Sequence, residues 1–487
     1  MKKVIALLLA LVLLFTGCEL ANIENIDDLN DGAEETEKPK ADTSVFGVAY
    51  AKGESADPYT SNSRINTELV SLICEPLFSA GTNFEANPIL CESFSHDGLT
   101  YRFQIKRNIP FSDGSTLSPS DVEYSLKLAA SSGSYYAQRL SDVASVSSSN
   151  RGGYVQITLK RENGRFPVLL DIPIIKKGTE NNALPTGTGL YAPNAELTKL
   201  SFREGHHLGK KPPYKEISLV SVGNTDELIF EFETHRVSVL SSDPTGTSAI
   251  SLRSAAEPVH VTSTIMHYLG FNVRKEPLNN PEVRRAISRA IDRNGIAEND
   301  FALMGVPAVL PLHPKSSNYS SEIGASLEYS QNVTVPTDKP LTILVNNESS
   351  AKVAAASQIA ENFTRIGVSA TVRAVPFSEY NSALYSGDFT LYYGEISLGA
   401  DFDITKLIVS GLNFGGFYDE SLSSLNSSYL AADEASADFY KKFCELLPFA
   451  PILFKDTAMY TQEGFWEEAY PTSQNLYNSF CDWKTGG

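Results

Sequence analysis

Three short stretches carry residue types that, brought together, would perform acyl transfer. Ser349-Ser350-Ala351-Lys352 fits SxxK, Ser473-Gln474-Asn475 fits SxN and Lys484-Thr485-Gly486 fits KTG, the set used by serine acyl-enzymes. The last two lie within a few residues of each other at the end of the chain, where no strand is expected to line a site. A peptidoglycan hydrolase built on Ser349 is therefore the weaker reading, and no GxSxG, HExxH or Walker pattern occurs. His206-His207 offers two imidazoles, but neighbours on a strand point to opposite faces, so no metal centre is expected there. Gly187-Thr188-Gly189 lacks the third glycine and the following helix of a dinucleotide loop, and reads as a place of close backbone approach. Cys74, Cys91, Cys444 and Cys481 are compatible with two disulfides, Cys74–Cys91 and Cys444–Cys481 being sequence-local, or equally with buried free thiols. No cofactor is expected.

The chain that positions these residues has 487 of them, too many for one ordinary core. A hydrophobic content of 42% with 20% charged residues is that of a folded protein. A net charge of −18 argues against nucleic acid as a partner, since phosphate binding needs a basic surface. Lys2-Lys3, the short apolar run Val4 to Phe15 and Thr16-Gly17-Cys18 form a processing signal too short to span a bilayer as a mature helix. The segment resembles a bacterial lipoprotein signal peptide, which implies cleavage after residue 17 and lipidation of Cys18. Residues 18–44, acidic and free of aromatics from Glu19 to Asp42, read as a solvated tether.

The clearest element runs from Asn280, a capping residue, through Pro281 at the first helical position. Val283, Ala286, Ile287, Ala290 and Ile291 then form one buried stripe, with Arg284, Arg285, Arg289 and Arg293 off it and Asn294-Gly295 ending the helix. An apolar strand over Tyr268 to Val273 precedes it. Strands are also expected over Val45 to Tyr50, Tyr101 to Ile105, Tyr154 to Lys160, Leu341 to Asn346 and Phe389 to Tyr393. Helices are expected over Ile65 to Ile73, from Ser118-Pro119 onward, and over Val353 to Phe363. The strand, helix and strand from Leu341 to Val372 imply parallel pairing with a right-handed crossover.

Several runs together resemble the peptide/nickel-binding family of extracytoplasmic solute-binding proteins of ABC importers, which includes oligopeptide- and dipeptide-binding proteins. They are YLGFNVRKEPLNNPEVRRAISRAIDRNGI from Tyr268 and YRFQIKRNIPFSDGSTLSPSDVEYSLKLA from Tyr101. With them go Pro185 to Tyr191 and Leu447 to Phe454, so the likeness is scattered over residues 45–460. It implies an α/β two-lobed periplasmic-binding-protein fold (type II), with an extra small domain in the first lobe and a hinge between lobes. The implied boundaries are residues 45–267 for the first lobe (small domain about 80–185), 268–455 for the second and 456–487 for the return.

The resemblance implies a non-enzymatic receptor that binds an oligopeptide or dipeptide and delivers it to ABC permease subunits. The expected chain is a monomer held by Cys18 on the outer face of the cytoplasmic membrane. A nickel or other metal chelate, haem or another small solute is the alternative cargo. The implied cleft residues are Tyr59, Asn62 and Arg64 on one turn, and Tyr136 and Arg139 on a second segment. To these are added Asn272 and Phe454 at the crossings, Asp401 with Asp403 where the family holds a ligand amine, and Asn413. The loop from Gly394 to Asp403 lacks the family's Trp and Pro, and Phe202 to Leu208 lacks another Trp.

Overall fold

The computed structural model describes residues 42–247, 249–253 and 256–486, so the signal segment, Cys18 and the tether up to Ala41 lie outside the described residues. Two hydrophobic cores account for most of the buried apolar side chains.

The first core opens with β1 (Gly47–Ala51) and α1 (Arg64–Ile73), whose Leu69, Val70, Leu72 and Ile73 are buried. There follow β2 (Cys91–Asp97), β3 (Thr100–Ile105) and α2 (Pro119–Ala129). The start of α2 is set by Ser118 and Asp121: the Asp121 carboxylate accepts from the Ser118 backbone N–H at 3.0 Å, with proline at the first helical position. Next come β4 (Val143–Ser149) and β5 (Tyr154–Leu159), then β6 (Tyr191–Pro193), β7 (Lys199–Phe202) and β8 (Glu216–Val222). Strands β2-β3-β5-β4 form one antiparallel sheet. Strands β1-β8-β7-β6 form another, in which β1 runs parallel to β8.

The second core is organised on a seven-stranded sheet. Its strands are β9 (Leu240–Ser242), β10 (Ala256–Phe271), β11 (Gly305–Pro307), β12 (Leu341–Asn346), β13 (Ala370–Val375), β14 (Leu391–Ser397) and β15 (Phe449–Gln462), in the order β9-β15-β10-β14-β12-β13 with β11 beside β15. α3 (Pro281–Arg289) follows β10, and α4 (Ser350–Arg365) links β12 to β13, which pair in parallel from Leu341↔Ala370 to Asn346↔Val375. That is the expected β-α-β unit.

The long antiparallel pair β10 and β15 serves both cores. Its ladder holds from Ala256↔Gln462 to Val261↔Thr457, slips, and resumes at Ile265↔Lys455. Val261 and Met459 belong to the first core, whereas Met266 and Phe454 belong to the second. The changeover therefore falls at Thr262-Ser263-Thr264, a few residues before Tyr268, where the sequence reading placed it. All three hydroxyl residues are buried. Ser263 Oγ donates to the Lys455 carbonyl at 2.5 Å and Thr264 Oγ1 to the Leu398 carbonyl at 2.7 Å, so the slip costs no orphaned side-chain donor there.

The helix α3 departs from its expected form. Asn280 caps it by accepting from Glu282 N–H at 2.9 Å, but it ends at Arg289, and a separate short turn spans Arg293–Gly295. Arg284 and Arg293, expected on the solvent side, are buried. Arg284 donates to the carbonyls of Leu278 at 2.7 Å and Leu447 at 2.9 Å, and Arg293 to those of Ala308 and Pro451 at 3.1 and 2.8 Å. Each guanidinium sews α3 and its sequel to the loops and strand beside it. The four cysteines Cys74, Cys91, Cys444 and Cys481 are free thiols, the undecided alternative resolved against Cys74–Cys91 and Cys444–Cys481.

Candidate ligand cleft

Where the two cores face each other lies a cavity of about 420 Å³. One wall comes from the segment after β5, with Arg161, Asn163 and Leu169, together with Arg139 and Gln474. The opposite wall runs from Ile396 at the end of β14 to Asp403, continued by Lys406.

The charged groups of the two walls satisfy one another. Arg161 pairs with Asp142 on its own side and, through Nη2, with Asp403 across the cleft. Its Nη1 donates to Thr405 Oγ1 at 2.9 Å. Asn163 Nδ2 donates to Asp401 at 2.8 Å. Burial pushes the Asp401 carboxyl up, and the adjacent Asp403 charge pushes it further. Burial would also raise Asp403, but the Arg161 guanidinium wins and holds it below the ordinary carboxylate range. Two neighbouring acids are thus driven apart by their partners. Asp401 accepts from the neutral Asn163 amide, while the Arg165 charge works against the upward push of burial.

Two further contacts join the halves. Gly164 N–H donates to the Leu430 carbonyl at 2.7 Å. Phe84, from the first half of the chain, belongs to the second core, its ring 4.9 Å from those of His313 and Phe402.

The implied cleft residues divide sharply. Asp401, Asp403 and Arg139 line this cavity. Arg139 Nη1 donates to the Asp171 carbonyl at 3.1 Å, its Nη2 to Gln474, and its guanidinium lies 5.0 Å from the centre of the Tyr136 ring. Tyr136 is half-buried beneath it, with burial pushing the phenol up to about 12. Behind them the buried Asp171 carboxylate accepts from Ala80 N–H at 2.9 Å, and burial pushes it up to about 6.

Tyr59, Asn272, Asn413 and Phe454 do not line this cavity. Tyr59 is sealed in the first core, donating to the Pro173 carbonyl at 2.8 Å, and Phe454 is sealed in the second. Asn272, also buried, donates to the Gly387 and Phe389 carbonyls and so ties the end of β10 to the segment before β14. Asn413 donates to Phe417 O at 2.6 Å and accepts from Phe417 N at 3.1 Å, closing a local loop. Asn62 and Arg64 line a separate cavity of about 460 Å³ against β9 and residues 243–250, with Arg64 paired to Glu68 at 2.7 Å.

Arg161, Asn163 and Gln474 were not anticipated. The available signal was the polar run Arg161-Glu162-Asn163 directly after a strand of alternating pattern. The acyl-transfer set does not assemble. Ser349 caps α4, accepting from Lys352 N–H at 3.4 Å, Lys352 pairs with Glu395, and Lys484 pairs with Glu468. A strand does form at Lys484–Thr485, contrary to expectation, but it pairs with Trp466–Glu468.

Residues 85–407, about two thirds of the chain, match the model of the bacterial extracellular solute-binding proteins, family 5. The chain belongs to that family. Among curated relatives, the glutathione-binding protein GsiB of Salmonella choleraesuis is 24% identical over 270 residues, 52% of each sequence, so the chain spans about half the length of the curated relatives it matches. Two solved structures share the fold. The oligopeptide-binding protein AppA from Bacillus subtilis, in complex with a nonapeptide, is 18% identical over 91% of this chain and 99% of that one, with a TM-score of 0.56. NikZ from Campylobacter jejuni, in complex with Ni(L-His), has the same identity and coverage and a TM-score of 0.58. The fold of this family 5 protein is thus the two-lobed α/β fold of solute-binding proteins. Among the described residues no helix is long and apolar enough to cross a membrane.

Proposed function

We propose that this chain captures a short peptide between its lobes and passes it to an ABC import permease. The observation that carries the reading is the buried Asp401, its carboxylate answered across the cleft by the neutral Asn163 amide. An α-ammonium group would replace that amide with a charge-assisted bond, and Arg139 or Arg161 would take the peptide carboxylate. A volume of about 420 Å³ falls in the ~300–1,000 Å³ range of small-ligand sites, which favours a peptide of few residues. Backbone hydrogen bonds would supply affinity with little dependence on side chains. The lobe boundaries we propose follow the two cores, with the change at residues 262–264.

The test is calorimetric titration with di-, tri- and tetrapeptides, glutathione included, beside their N-acetylated forms. Free-amine peptides should bind, and Asp401→Asn should weaken them more than about tenfold, the size of a lost charge-assisted bond. Equal binding of acetylated and free peptides would remove Asp401 from this role, and binding of no peptide would overturn the reading.

We further propose that lipid on Cys18 holds the protein extracytoplasmically as a monomer, as the Thr16-Gly17-Cys18 signal suggests. Full-length protein expressed in a bacterium should enter the detergent phase on cloud-point extraction, and Cys18→Ala should stay in the aqueous phase.

A further inference from the structure

Outside the cleft, in the first lobe, three metal-ligating side chains from distant parts of the sequence converge. Glu75 directly follows α1 and its single connecting residue Cys74, and His206 and His207 occupy the turn after β7. The donor atoms of the three lie within 4.8 Å of one another. The expectation that adjacent histidines diverge fails because β7 stops at Phe202 and the backbone is already turning. Freed from strand geometry, both rings face the same carboxylate, with centres 4.5 Å apart.

Thr188, between Gly187 and Gly189, completes the surroundings. Its hydroxyl donates to Glu75 at 2.8 Å, and its carbonyl lies 3.0 Å from His206 Nε2. Both glycines are required, since a Cβ on Gly187 would lie 2.2 Å from the Ile73 carbonyl oxygen and one on Gly189 2.4 Å from the Ile73 carbonyl carbon. Arg203 Nη1 donates to the carbonyls of Thr188 and Gly189 at 2.6 and 2.9 Å and fixes this loop from outside. Oriented ligands held by such surrounding bonds are what a metal site needs.

The donor spacing admits an ion, which would take the place of the present partners, Glu75 for His207 and the Thr188 carbonyl for His206. His207 Nε2 sits 2.8 Å from Glu75, a good hydrogen bond, but His206 Nε2 sits 3.5 Å from it, too long for one. Two donors bound at ~2.0–2.1 Å to one tetrahedral ion stand about 3.4 Å apart. We propose that Glu75, His206 and His207 form a binding site for a divalent transition ion, zinc by its two imidazoles and one carboxylate.

The ion ties the end of α1 to the turn after β7 and leaves its fourth position for water, reached past the partly exposed His207. On loading, the ion takes the ring lone pairs and any proton they carry leaves to solvent; His206 gives up its contact with the Thr188 carbonyl or turns its other nitrogen to the ion. No electron is transferred.

The experiment uses untagged, chelator-treated full chain titrated with zinc chloride against a competing chromophoric chelator, and separately with cobalt chloride. One zinc per chain with micromolar or tighter affinity is expected, and cobalt should give the intense visible bands of a four-coordinate ion. His207→Gln, which keeps a hydrogen-bond donor for Glu75, should weaken zinc more than about tenfold. His235→Gln, at an exposed position elsewhere, should change nothing. Absence of saturable zinc, cobalt spectra of a six-coordinate aquo ion, or equal affinity in His207→Gln would each overturn the site. Should His207→Gln fail to fold, the cobalt spectrum of the unmodified protein decides alone.

Discussion

Asp171 shows how a single buried acid couples the cleft to pH. It lies behind Arg139 and Tyr136, and its carboxyl is pushed up to about 6 by burial. In the unfolded chain the same group loses its proton near pH 4. A raised folded value means the native state prefers the protonated acid. The stability it contributes is complete below about pH 4 and is lost as pH rises toward 6, roughly 3 kcal/mol in all. Asp171→Asn keeps an acceptor for Ala80 N–H and removes the charge. In urea denaturation the variant should equal the parent at pH 4 and exceed it by about 1–3 kcal/mol at pH 7. A difference of the same size at both values would show that the effect is not linked to this proton.

At the scale of elements, most of the secondary structure was legible and most of its packing was not. Leu341 to Asn346 was placed to the residue, because a continuous apolar run is unambiguous when a helix and a second strand follow. Arg284 was misread because periodicity assigns faces by residue type, and nothing in the type says that carbonyls of Leu278 and Leu447 wait behind the helix. The cleft was half legible for the same reason. Asp401 and Asp403 sit in a run with a family counterpart, whereas Arg161 acquires its meaning only when a distant segment is brought opposite.

Gly189 gives the element-scale prediction. Its backbone touches that of Ile73 at the end of α1, so Gly189→Ala should cost about 1–3 kcal/mol through overpacking, read as a lower urea midpoint. An unchanged midpoint would mean the loop can retreat from α1.

At the scale of the whole molecule, the lobes make direct contacts with each other across the cleft. Arg161 meets Asp403, Asn163 meets Asp401, and Phe84 reaches into the second core. A ligand must then compete with contacts the cleft already makes, and its affinity reflects the difference. The double variant Arg161→Gln, Asp403→Asn removes the cross-cleft charges together, leaving neither buried and unpaired. Small-angle scattering of the ligand-free variant should give a larger radius of gyration than the parent. An identical profile would mean that Phe84, the Asn163–Asp401 hydrogen bond and the backbone contact suffice to hold the lobes.

The interrupted ladder between β10 and β15 has a mechanical consequence. Above and below Thr262-Ser263-Thr264 the two strands are stapled rung by rung, so neither can slide along the other without breaking a whole series of rungs. The missing rungs leave a soft crease in the ribbon, and a smaller register slip follows between His267 and Tyr268. A swing of the halves about that crease, like covers about a spine, would break fewer rungs than any slide, and would open the side of the cleft facing away from it.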